Sequence, residues 1–175
     1  MLMVSRDGRH FNRSNEPFLP NYLENQQNWL YGDCFMTYGM LETEADFPGE
    51  PTELSMYCGE GGKNYPTRFR RFTIRMDGFL SWHADYEGGT ILTKPMVFSG
   101  DSLKINFATS AVGYLKITLC DLDGNEIEGY HSGELFGNSI ARPVDFDKSL
   151  ADLNGKEIRI RFEFSSCDLY SFIFE

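Results

Sequence analysis

The sequence predicts an all-β protein, with an antiparallel β-sandwich over residues 77–175 and a smaller strand-and-loop module over residues 1–76 before it. Three observations carry this reading. After Thr67, apolar and polar residues alternate at period two through much of the chain, the mark of strands with one face buried and one wet. Asp-Gly and Asn-Gly pairs punctuate the alternating runs, and such pairs supply the positive φ that tight turns need. No segment sustains a 3.6-residue period, and 15 Phe, 9 Tyr and 17 Gly suit strands and turns better than helices.

In chain order, Asp7-Gly8 predicts a hairpin within Ser5–Phe11. Ser14–Asn28, rich in Asn, Pro and Gln, reads as a long loop. Phe35–Glu42 and Thr52–Cys58 read as strands joined by a turn at Pro48–Pro51, and Thr67–Met76 as a third. A hairpin plus three strands is about the content of one β-propeller blade. No second copy follows at a fixed period, which excludes a complete propeller within this chain. Met36, Tyr38, Met40, Leu54, Met56 and Tyr57 are expected to line the faces of this partial blade. A lone blade lacks the neighbours that cover such faces, so a homodimer through it is expected.

Asp77-Gly78 opens the sandwich, which we expect to be jelly-roll-like. Leu103–Phe107, Tyr114–Cys120 and Ile158–Phe164 are its clearest strands, with Asp123-Gly124 turning the chain after the second. Lys148–Leu153 reads as one helical turn closed by Asn154-Gly155. Ile117, Leu119, Ile160, Phe162 and Phe172 are the predicted core.

Composition narrows the function classes. A chain of 175 residues with 41% hydrophobic content has enough material for one good core, or for a core plus a smaller module. A net charge of −10 repels phosphate, arguing against nucleic acid and anionic membrane surfaces as partners. No apolar run is long enough to span a bilayer. Met1-Leu-Met-Val4 meets Arg6 and Asp7 without forming a signal peptide, so a cytoplasmic location follows if Met1 is the true start. Cys34, Cys58, Cys120 and Cys167 are too few and dispersed for a disulfide scaffold and read as free, hydrophobic thiols.

Several motifs fail on spacing. In Gly59-Glu-Gly-Gly-Lys63 the lysine precedes Asn64, and Tyr57 stands where a phosphate loop needs glycine. Asp121-Leu-Asp-Gly-Asn125 has its glycine too early for a calcium loop and no glutamate at the twelfth position. His10, His83 and His131 are far apart and no zinc spacing occurs. No nucleophile elbow is present. Neither a metal nor a cofactor is expected. Arg68, Arg70, Arg71 and Arg75 form the only basic cluster, expected to pair with glutamates across the sheet, with capture of an anionic sugar as the alternative. Asp33, Asp46, Glu60 and Asp85 are the acids lying near aromatics.

The aromatics are more suggestive. Trp29 and Tyr31 accompany Asp33, while Trp82, His83 and Tyr86 sit where the sandwich begins. A flat ring beside acids and amides is what a sugar site requires. Tryptophan is highly buried on average, so packing of the two modules is the preferred reading of both Trp side chains. Trp29, Tyr31, Asp33, Trp82 and Tyr86 are the candidate carbohydrate-binding residues.

One junction resembles a known arrangement. Arg75-Met-Asp-Gly-Phe-Leu-Ser-Trp82 runs into Glu87-Gly-Gly-Thr-Ile-Leu-Thr-Lys-Pro-Met96. In proteins related to glycoside hydrolase families 32 and 43, a five-bladed propeller ends in a strand reading roughly R-x-D-G-F-x-S, and a β-sandwich opens with G-G-T-x-x-T-K-P. Ser5-Arg-Asp-Gly-Arg-His-Phe11 is similar to a blade hairpin, and Asp168-Leu-Tyr-Ser-Phe-Ile-Phe174 to the family's tail. The resemblance implies a last blade plus C-terminal sandwich. The family's catalytic acids belong to earlier blades and match no position here, so no catalytic residue is expected. The expected function is a non-catalytic structural or accessory module of a carbohydrate-active protein. A stand-alone carbohydrate-binding module, or a glycosidase completed by oligomerisation, is the alternative.

Overall fold

The structure, a computed structural model, describes residues 1–19, 35–46, 50–61 and 68–175. It is all-β, with antiparallel sheets and no α-helix among the described residues. The chain divides into two compact units, Met1–Thr43 with Leu54–Thr73, and Glu44–Glu53 with Ile74–Glu175.

The first unit begins with the expected hairpin, in which β1 (Met3–Val4) pairs with β2 (Asn12–Arg13). Gly8 takes φ +69° at its tip. Asp7 holds the turn, its Oδ1 accepting the backbone N–H groups of Arg9 and His10 at 2.8 Å each. A separate sheet is built on β5 (Thr52–Glu60), which bonds β3 (Phe35–Met36), β4 (Leu41–Glu44) and β6 (Arg68–Arg75). The single strand expected over Phe35–Glu42 is thus broken, and Gly39 at φ +87° lies in the break.

Polar groups tie this sheet together. The Glu60 side chain is fully buried and meets Arg68 Nε and Arg70 Nε at 2.9 Å each. Ser55 Oγ receives Arg71 Nε at 2.8 Å and shares a hydrogen bond with Thr43 Oγ1. Arg68 and Arg70 therefore pair with glutamate as expected, and Arg71 donates to the hydroxyls of Ser55 and Thr43. Of the residues expected to line the sheet faces, Met56 is buried, but Met36, Tyr38 and Met40 are exposed, Tyr38 completely.

The second unit is a sandwich made from two very long strands. These are β10 (Leu103–Cys120) and β13 (Glu157–Phe174), which pair along almost their whole length, from Leu103–Phe174 to Cys120–Arg159. Both bend midway, where the register breaks between Thr109 and Tyr114. The first half of β10 and the second half of β13 form one layer. It is flanked by β12 (Asn138–Pro143) on β10 and by β7 (Trp82–Ala84) on β13. The other halves form the second layer. There β11 (Glu126–His131) lies on β10, while β8 (Gly89–Leu92) and β9 (Met96–Val97) follow one another along β13.

One core fills the space between the layers. Leu103, Ile105, Phe107, Leu115, Ile117 and Leu119 of β10 meet Ile158, Ile160, Phe162 and Phe164 of β13 there. Each such fully buried side chain contributes roughly 1.5–3 kcal/mol. Phe162 of one layer touches Phe172 of the other at 5.5 Å between centroids. All five predicted core residues belong here, Phe172 being partly buried. Asp123-Gly124 turns the chain between β10 and β11 as expected, with Gly124 at φ +87°. The expected helical turn is a 3-10 helix, Leu150–Leu153, capped by Ser149.

Arg75 crosses the outer side of the first layer. Its Nε donates to Asn106 Oδ1 at 3.0 Å, Nη1 to Asn138 Oδ1 at 2.6 Å, and Nη2 to the carbonyls of Phe107 and Ser139. The guanidinium carbon lies 4.3 Å from the Tyr170 ring centroid. For Arg75 the expected glutamate partner is thus replaced by neutral acceptors, geometry that a planar five-donor fork satisfies and a lysine does not.

Candidate functional site

Two of the five candidate sugar-binding residues, Trp82 and Tyr86, lie on the sandwich; Trp29, Tyr31 and Asp33 lie outside the described residues. Strand β7 places Trp82. Its register sets Ala84 opposite Cys167, His83 opposite Asp168 and Trp82 opposite Leu169. Cross-strand partners share a face, so Trp82 stands on the same side as the buried Leu169 and Ala84. Yet Trp82 is the first residue of a short edge strand, and 63% of its surface is exposed. Packing does not account for this ring.

His83 and Asp168 point to the opposite face. Asp168 Oδ1 accepts the Ser81 hydroxyl at 2.7 Å and meets His83 Nδ1 at 3.1 Å. A Ser, a His and an Asp side by side invite comparison with a catalytic triad. The connectivity is wrong for one, since Ser81 bonds the carboxylate and not the imidazole, leaving no base on its hydroxyl. The arrangement is a hydrogen-bonding trio beside an exposed indole.

Tyr86 is 80% exposed in the turn between β7 and β8. That turn is clamped to β13. The Ser166 N–H donates to the Asp85 carbonyl at 2.8 Å, and Ser165 Oγ donates to the Tyr86 carbonyl at 3.0 Å. Within the turn, Glu87 N–H donates to Asp85 Oδ1, and Gly88 at φ +79° packs close to the Phe164 carbonyl. Both rings therefore project from fixed backbone, and a preorganised surface loses little entropy on binding.

Two of the acids flagged by sequence, Glu60 and Asp85, have other engagements. Glu60 is enclosed between two arginines, Asp85 is committed to its turn, and Asp33 lies outside the described residues. The Asp121 carboxylate accepts the Asn125 backbone N–H at 2.8 Å and its side-chain amide at 3.2 Å. These bonds hold its carboxyl below the usual range. Burial pushes the Cys167 thiol up to about 12, with the nearby Asp168 charge adding to it.

Sequence reasoning missed Asp168 and Ser81. Asp168 joins His83 only through the β7–β13 pairing, and nothing local in the sequence signals a contact between such distant segments. Comparison with family models, with curated proteins and with solved structures finds no match to this chain.

Proposed function

We propose that this chain is a non-catalytic accessory β module of a carbohydrate-active protein, holding sugar on the surface formed by Trp82 and Tyr86. The observation that carries the reading is the exposure of Trp82 on an edge strand that leads into a clamped turn and runs beside the Ser81–His83–Asp168 trio. An indole offers a flat apolar face to sugar C–H groups, and the trio adds carboxylate, imidazole and hydroxyl groups on the other face of the same sheet edge. In this reading residues 1–76 correspond to the last blade of a propeller and residues 77–175 to a jelly-roll-like sandwich. Both would be related to glycoside hydrolase families 32 and 43 through the Arg75–Trp82 and Glu87–Met96 segments. A Trp29→Phe background leaves Trp82 as the sole indole. Oligosaccharide titration should then change its fluorescence saturably, and Trp82→Ala should weaken binding about tenfold or more. Unchanged fluorescence across neutral and acidic oligosaccharides would leave only a structural role.

A second reading concerns assembly. Phe35, Tyr38, Leu41 and Phe69 of the first unit's sheet are each more than half exposed. This supports a homodimer through that sheet, or cover by further blades. Light scattering that gives a monomer at high concentration removes the dimer.

A further inference from the structure

We infer that a cleft in the second unit, separate from the Trp82 surface, binds a small polyol through two neighbouring hydroxyl groups. Glu50, Thr52, Glu53, Arg75, Asn138 and Ile140 line it, and its volume is about 120 Å³. At roughly 30 Å³ per water-sized group, that space takes one edge of a sugar ring rather than an oligosaccharide.

The ligand chemistry follows from what its walls offer. Glu50 Oε2 accepts the Ile140 N–H at 3.1 Å, while Glu50 Oε1 is buried and meets no hydrogen-bond donor among the described residues. A buried carboxylate oxygen without a donor is costly, so the site favours a molecule that donates there. Arg75 supplies the opposite polarity. A guanidinium has five N–H groups; the bonds to Asn106, Asn138, Phe107 and Ser139 use four of those of Arg75, and the Nη1 nitrogen that bonds Asn138 in the cleft wall carries the fifth. The four bonds also fix the plane of the guanidinium, so the remaining donor is held in place.

One donor and one acceptor lining the same cleft select a group that can both give and take. An ammonium offers Arg75 no acceptor. A carboxylate offers Glu50 no donor and faces the negative charge of two glutamates. A hydroxyl does both, and adjacent hydroxyls reach Glu50 and Arg75 together, each through a charge-assisted bond. Glu53, only 8% exposed, and Thr52 close the polar floor.

The test is titration of the full chain, followed by the backbone amide of Ile140 and the side-chain amide of Asn138 in two-dimensional NMR. The probes are methyl glucoside, ethylene glycol, methylammonium chloride, sodium acetate and acetamide. The expected result is saturable movement of both signals with methyl glucoside, with Kd on the order of millimolar, and weaker saturation with ethylene glycol. Glu50→Gln keeps a carbonyl for Ile140 but removes the second acceptor, and should weaken binding about tenfold or more with an unchanged melting temperature. Saturation by methylammonium, acetate or acetamide in preference to the polyols overturns the proposal. So does movement that stays linear in every probe. The comparison of probes on the unaltered chain decides the matter even if Glu50→Gln fails to fold. Trp82 fluorescence reads the other surface, so either site can fail with the other intact.

Discussion

Gly113 lies directly against the backbone of Ser166. A Cβ at residue 113 would stand 2.3 Å from the Ser166 carbonyl oxygen and 2.7 Å from that of Ser165. Ser166 itself has φ +44°, a conformation that side-chain-bearing residues rarely adopt. Together they make the corner at which β10 and β13 pass from one layer to the other.

Gly113→Ala should therefore destabilise the sandwich by about 1–3 kcal/mol, since the atoms it meets are backbone and cannot swing aside. Denaturant unfolding checks this. Gly133→Ala is the matched control, because a Cβ there meets nothing within 4 Å and its effect should be small.

Phe162 is 1% exposed and touches the opposite layer through Phe172. Phe162→Ala should cost ~3–5 kcal/mol. Phe172→Ala, at a partly buried ring, should cost less, and the double variant should lose less than the sum because the two side chains share one contact. A double-mutant cycle in urea measures that coupling.

Acid should loosen the turn between β10 and β11 before the core responds. Asp121 is held below its ordinary value of 3.8, first by the Asn125 backbone N–H and then by the Asn125 side chain. A depressed folded-state pKa gives stability that is present above the unfolded value and lost as pH falls through the folded one. The protection of the Asn125 amide against exchange, relative to its intrinsic rate, should accordingly fall below about pH 4, the ordinary carboxylate range. Asp121→Asn should remove that pH step.

The buried thiols should be unreactive while the chain is folded. Cys58, Cys120 and Cys167 are all buried, and the Cys167 thiol is pushed up to about 12, so almost no thiolate exists at neutral pH. In a Cys34→Ser background, thiol titration should find nothing in buffer and three groups in denaturant. Reaction of Cys167 in buffer would mean that β13 opens at the corner.

Much of the sandwich was legible because its strands carry their faces in their spelling. Ile158, Ile160, Phe162 and Phe164 alternate cleanly, as do Leu115, Ile117 and Leu119, and all are buried. What spacing could not reveal is that each run is half of a longer strand. The inward parity of β13 shifts from even to odd at the Ser165–Ser166 corner, so Cys167 and Leu169 face the core, and back again around Tyr170, so that Phe172 and Phe174 do. A period-two reading sees separate strands at each such break. The site shows the same division. Trp82 and Tyr86 announce themselves as residue types, but their exposure depends on an edge position and a clamped turn set by distant pairing. Asp168, the carboxylate beside them, carries no local signal.

The shared strands also govern how this unit assembles. Pairing of β10 with β13 brings together segments far apart in sequence, least so at Cys120–Arg159 and most so at Leu103–Phe174. Loop-closure entropy favours starting at the near end, where β11, β12 and the 3-10 helix lie in the intervening chain. From there the ladder zips outward through the corner, and the second half can register only after the first is in place. A topology so rich in non-local contacts folds slowly, on the order of milliseconds to seconds. Since the central β10–β13 pair runs through both layers, the two layers form and dissolve as one cooperative unit, and neither has an independent folded life.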